Sequence, residues 1–141
     1  VRINFQNINN DSVYGSSANN FLKFVDSENA RIRIGNSGNN DYENTNGITL
    51  NRDYIITVVR SGDALGVVTL FSQYAEDNEE SWGSNADADA FVISNIGCDA
   101  DDTNPLKAVI KDFIMWETDL DATDRSNLYT YLRGYDNHNP I

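Results

Sequence analysis

FVISNIGCDADDTNPLKAVIKDFIMWETDLDATDRSNLYTYL, residues 91–132, decides the fold. It reads as a strand over 91–96, an acidic loop, a second strand over 107–116, and one short helix near the C-terminus. The apolar residues of the second strand change parity between Ile110 and Phe113, which places a β-bulge at Lys111-Asp112. Asp121 is a helix N-cap, and Asp124 three residues later can reach back to it. Leu128, Tyr131, Leu132 and Tyr135 follow i, i+3, i+4, i+7 spacing and form one apolar stripe. Gly134 suits the left-handed residue that ends a helix. A helix of about twelve residues is marginal alone, so it has to dock on something larger.

Upstream of that stretch the pattern is almost entirely β. Residues 1–6 alternate as a strand, with Val1, Ile3 and Phe5 on one face. Residues 21–25 and 30–34 read as a hairpin about the Asp26-Ser27-Glu28-Asn29 turn. Residues 54–59 and 65–71 are β-branched and apolar on both faces, as expected of central strands covered on each side. Residues 7–20, 36–47 and 73–89 are polar and read as loops. About seven or eight short strands with polar turns indicate an all-β, two-sheet antiparallel sandwich. Its expected core includes Ile56, Val58, Val68, Leu70, Ile93, Ile110, Phe113, Leu128 and Leu132.

At 141 residues the chain is one domain by size, 1–141. Its net charge of −12 opposes a nucleic-acid partner, which needs a basic footprint. No apolar run approaches the ~18 residues of a membrane span, so membrane insertion is not expected. The lone Cys98 excludes an internal disulfide framework. Asp outnumbers Glu by 16 to 6, which fits many polar turns in a saline or extracellular setting or, for part of it, calcium ligation.

Three segments carry a family resemblance: DYIITVVRSG (53–62) leading into VVTLF (67–71); FVISNIG (91–97); and Ala108-x-Ile110-x-Asp112-Phe113 through Trp116, followed by Leu120-Asp121-x-x-Asp124-Arg125 to Tyr131-Leu132. In this order and spacing, over roughly residues 50–135, the chain resembles the concanavalin A-like superfamily, specifically laminin-G-like jelly-roll modules of extracellular and phage structural proteins. The resemblance implies a two-sheet jelly roll. It also implies a non-catalytic, surface-exposed binding module for a glycan, host surface or cell-surface polymer within a larger viral or extracellular assembly. The alternative it leaves open is a purely structural virion or filament subunit without glycan binding. The expected location is extracellular or on a virion surface. Ala108 replaces the family's usual glycine, and Ser72-Gln73-Tyr74 replaces its Val-Asn-Gly turn. The family's opening strand has no clear copy. The domain therefore reads as lacking that strand or as part of a larger chain, with an open edge beside residues 107–116.

Catalytic patterns are hard to find. No strand carries the paired carboxylates of the superfamily's glycosidases, whose retaining members need them about 5–5.5 Å apart. Glu76, Asp77, Glu79 and Glu80 read as a solvated charge run. The only histidine, His138, lies in the tail, where a triad would be poorly positioned. The chain therefore reads as non-catalytic. Candidate ligand contacts are Trp82 and Tyr74, as stacking platforms for a sugar ring, with Asn85 nearby; Trp116 is a weaker candidate. Candidate calcium ligands are Asp87 and Asp89 with Asn85, and Asp99, Asp101, Asp102 and Asn104.

Overall fold

In the computed structural model, residues 1–17, 20–35, 38–61, 67–74, 79–86, 92–98 and 104–138 are described. They form β1 (Arg2–Phe5), β2 (Asp11–Ser17), β3 (Asn20–Phe24), β4 (Asn29–Ile34), β5 (Asn39–Glu43), β6 (Asp53–Ser61), β7 (Val67–Tyr74), β8 (Glu80–Ala86), β9 (Asn95–Ile96), β10 (Ala108–Asp112) and α1 (Ala122–His138). Two five-stranded antiparallel sheets result, in the orders β10-β1-β6-β7-β8 and β5-β4-β3-β2-β9. The chain is thus an all-β two-sheet sandwich with one C-terminal helix.

The core between the sheets comes from the inward positions of both. Ile3, Phe5, Val13, Leu22, Phe24, Val68 and Leu70 are all fully buried. Phe24 packs at 4.9 Å on Phe5 and edge-on at 5.3 Å against Trp82. Of the core expected from sequence, Ile56, Val68, Leu70 and Leu132 are buried. Val58, Ile93, Ile110, Phe113 and Leu128 are only half-buried, packed against the margins of the buried clusters.

Several elements differ from the sequence reading, and bulges explain two of them. The 7–20 segment holds β2, whose register against β3 slips at Val13 and again at Ser16. Those extra residues break the alternation that would have marked a strand. The 73–89 segment holds the end of β7 and all of β8. There Leu70 faces Gly83 and Phe71 faces Ser81, so Trp82 is the extra residue and turns into the core. In the 36–47 segment, β5 is an edge strand with one buried side chain, Tyr42, whose hydroxyl donates to the Val68 carbonyl at 3.2 Å. Such a strand carries too little apolar signal to be seen.

At the other end the expected 91–96 strand shrinks to β9, and Phe91 lies outside the described residues. The last strand ends at Asp112 rather than Trp116. Its bulge is where the parity break puts it: Arg2 faces Asp112 and Ile3 faces Ile110, leaving Lys111 as the extra residue. β1 pairs with both β10 and β6, so it covers one side of β10 while the other side remains the sheet's edge.

Helix α1 lies on the outer face of the first sheet. The Asp124 amide donates to Asp121 at 2.8 Å and the Asp121 amide to Asp124 at 3.3 Å, closing the expected capping pair. Buried Tyr129 and Leu132, with half-buried Leu128, pack against Ile55, and Arg125 is buried on the same face. Tyr131, expected in that stripe, is 64% exposed. The expected stop at Gly134 is overturned too, since α1 continues to His138. The next strong breaker in the sequence is Pro140. Arg125 fixes the helix: its Nη2 and Nε donate to the Glu79 carboxylate at 2.8 Å, and its guanidinium lies 4.0 Å from the Phe71 ring centre. The Tyr129 hydroxyl donates to the same carboxylate and accepts from Thr57 of β6 at 3.1 Å. Burial and then the Glu79 contact raise the Tyr129 pKa, so this phenol stays neutral.

Because Trp82 is 3% exposed and donates its indole N–H to Ser72 at 2.8 Å, it acts as a core anchor. Trp82→Ala is expected to cost about 3–5 kcal/mol in urea unfolding. A loss below about 1 kcal/mol would contradict the bulge that turns it inward.

Candidate functional site

Among the described residues, a cleft opens in the first sheet beside the paired ends of β1 and β6. β6 pairs with β7 along its whole course, from Tyr54–Tyr74 to Ser61–Val67. On its other side β1 reaches only Ile55 by register, and the Val1 carbonyl accepts the Ile56 amide at 2.8 Å. From Thr57 to Ser61 no strand lies on that side of β6 among the described residues. Past β10, residues 113–120 run on without strand structure and form the opposite wall.

The resulting cavity of about 380 Å³ reaches both layers beneath the sheet. Inward it meets Leu22, Ile32 and Val68 of the sandwich core; outward it meets Leu128 and Leu132 of α1. Arg2 and Asp112 flank it, 2.6 Å apart at the closest nitrogen and oxygen, and Arg2 also donates to the Leu132 carbonyl at 3.0 Å. That pair joins β1, β10 and α1. Glu117 and Asp119 are exposed at the mouth. The far wall presents Ile114, Met115 and Trp116 at 41%, 66% and 47% exposure. Trp116 is therefore a surface residue rather than a core one. Its strand was expected to run through it, but the strand ends at Asp112.

The ligand contacts expected from sequence do not assemble into a platform. Trp82 is buried with its indole engaged, so it has no face for a sugar ring. Tyr74 is half-buried, its ring 5.4 Å from Tyr54 and 4.9 Å from the Arg52 guanidinium. Asn85 donates from its side chain to the Asp41 carbonyl at 3.4 Å, joining β8 to β5. Of the expected metal ligands, Asp87, Asp89, Asp99, Asp101 and Asp102 lie outside the described residues. Asn104 has a positive φ of 50°. Its side-chain carbonyl accepts from Asn10 at 3.2 Å, and its backbone carbonyl accepts from the Ser12 amide at 2.9 Å. Among the described residues no group of three or more His, Cys, Asp or Glu side chains is placed to hold a metal ion.

No protein-family model, curated protein or solved structure matches the chain. Among the described residues no helix is long and apolar enough to cross a membrane.

Beside the cleft, Asp53 ties three strands together. Its carboxylate accepts from Asn4 of β1 at 2.8 Å and from Lys111 of β10 at 2.5 Å. Burial alone would raise its pKa, but the hydrogen bonds from Lys111 and Asn4 outweigh that and hold it below 3.8. A carboxylate with a depressed folded-state pKa stabilises at pH above its unfolded value, and that contribution is lost as pH falls through the folded value. Stability is therefore expected to decline below about pH 4, and Asp53→Asn to flatten that decline. Identical acid slopes for the two proteins, measured by denaturant melts at successive pH values, would contradict the role given to Asp53.

Proposed function

We propose that this chain is a non-catalytic, surface-exposed module that binds a polypeptide partner within a larger extracellular or viral assembly. Its role is structural rather than sugar-reading. The observation that carries the reading is the run of Ile114, Met115 and Trp116, three large apolar side chains at consecutive positions on one wall of the cleft, all exposed. Contiguous apolar surface of this kind marks interaction sites on soluble domains.

Two further features favour a protein partner over a glycan. Sugar recognition needs an aromatic face together with polar groups for the hydroxyls, and the best aromatic for that purpose, Trp82, is spent on the core. The aromatic rings deep in the cleft, Tyr14 and Phe113, pack edge-on against each other at 5.8 Å, and the Arg2–Asp112 pair is engaged in joining strands to the helix. The likeness to laminin-G-like modules fits a binding role, and the two antiparallel five-stranded sheets are compatible with it.

The test pairs a glycan array with selection of displayed random peptides, using the native chain and an Ile114→Ser/Met115→Ser/Trp116→Ser variant. The expected result is peptide enrichment on the native chain, lost in the variant at an unchanged melting temperature, and no saturable glycan binding. Saturable glycan binding with no enriched peptide would overturn the reading.

A further inference from the structure

We propose that Asn46-Gly47 is a spontaneous deamidation site, gated by the Glu80 carboxylate, whose conversion to aspartate or isoaspartate unfastens β5 from β8. It is the only Asn-Gly pair in the chain. Asparagine is a thermolabile residue, and a following glycine has no Cβ to hinder approach of its nitrogen to the asparagine side chain. The structure requires both residues. Gly47 has a φ of 62°, and a Cβ there would stand 3.0 Å from the Ser27 carbonyl oxygen and 3.2 Å from Glu28 Cγ, so a side chain would be strained. Asn46 donates from Nδ2 to Glu80 at 2.7 Å, a bond that an ionised aspartate cannot make.

Glu80 is the shared acceptor of a clasp between the two sheets. Its other carboxylate oxygen takes the Asn44 side-chain amide, also at 2.7 Å. Asn44 follows directly on β5, an edge of the second sheet, and Glu80 opens β8, an edge of the first. The turn is closed from within as well. The Gly47 amide donates to the Asn44 carbonyl at 3.0 Å, and the Asn46 amide to Asn44 Oδ1 at 2.9 Å. The Ile48 amide pins the exit by donating to the Ser27 carbonyl at 2.7 Å. Both reacting groups are thus occupied while the clasp is shut, although Asn46 itself is exposed to water. Reaction therefore proceeds through local opening of the turn.

In the open turn the Gly47 amide loses its proton to base, and its nitrogen attacks Asn46 Cγ. A nitrogen–carbon bond forms, the Cγ–Nδ2 bond breaks, and Nδ2 takes up a proton from water and leaves as ammonia. Water then opens the cyclic imide at either carbonyl, giving aspartate or isoaspartate with no change of oxidation state. The product carries a carboxylate where Glu80 had a donor. Two carboxylates at hydrogen-bonding distance repel, and neither donates, so the clasp does not re-form. Isoaspartate also lengthens the backbone by a methylene within a turn that Asn44 closes at two points. The change is one-way and falls on residues that do not line the cleft.

The test incubates the folded chain at mildly alkaline pH and follows position 46 by proteolysis and mass spectrometry. A synthetic peptide of residues 42–50 is the reference without the fold. We expect deamidation of Asn46 in the native chain to be far slower than in the peptide. Glu80→Ala removes a charge-assisted hydrogen bond and should speed the reaction roughly tenfold. Glu80→Gln keeps the shape of the side chain and should give an intermediate rate; it carries the test if Glu80→Ala does not fold. Asn46→Asp reproduces one product directly and should lower the melting temperature and speed amide exchange at Gly47 and Ile48. A native chain that deamidates as fast as the peptide, or as fast as the folded Glu80 variants, would overturn the gating. An Asn46→Asp chain with unchanged melting temperature and unchanged exchange at Gly47 and Ile48 would overturn the unfastening.

Discussion

The first sheet is built on β6, which among the described residues pairs with β7 along its full length and with β1 as far as Ile56. Buried main-chain N–H and C=O groups need partners, and a strand inside a sheet meets that need from both flanks. Up to Ile56, β6 meets it from β1 and β7 together. Burial along the strand follows the same boundary. Tyr54, Ile55 and Ile56 are buried, and every residue from Thr57 to Ser61 is partly exposed. A strand that loses its neighbour loses the side-chain cover that neighbour brings.

The helix completes the half of the sheet that β1 supports. Arg2 of β1 reaches the Leu132 carbonyl, Ile55 of β6 packs under Tyr129 and Leu132, and Thr57 donates to Tyr129. Glu79 receives both Arg125 and Tyr129, so one carboxylate serves a buried guanidinium and a buried phenol. Removing either partner would strand the other in a poorly solvated site, which is where the large costs of breaking buried pairs arise. Because Arg125 also stacks on Phe71 of β7, the helix is held to both central strands.

The legible parts of the sequence were those where local chemistry agrees with tertiary context. The long β-branched runs of β6 and β7, the Asp26–Asn29 turn, the Lys111 bulge and the Asp121–Asp124 cap all follow from propensity, parity and capping. The illegible parts share a cause. Val13 and Trp82 are bulge residues, and a bulge shifts the side-chain alternation on which strand reading rests. β5 and β8 are polar edge strands with a single buried aromatic each, so Trp82 read as a loop residue available to a ligand when it is a core anchor. Tyr129 rather than Tyr131 faces the sheet because the buried stripe is mixed, with Arg125 holding a position that an apolar pattern does not mark. The candidate site was legible only as an apolar run, FIMW, whose exposure is set by where β10 ends.

The cleft also explains why fold alone would not have located the site. Sandwiches commonly bind through loops at their ends, whereas the exposed apolar run here, Ile114 to Trp116, follows directly on an edge strand of a sheet. The most direct measurement is amide hydrogen exchange along β6 in the chain of residues 1–141. Ile56, Thr57 and Val59 are bonded to neighbouring strands and should exchange slowly, while Val58, whose amide turns to the side β1 takes at Ile56, should exchange faster than either of its neighbours. Equal protection of Val58, Thr57 and Val59 would contradict the one-sided pairing of this half of β6.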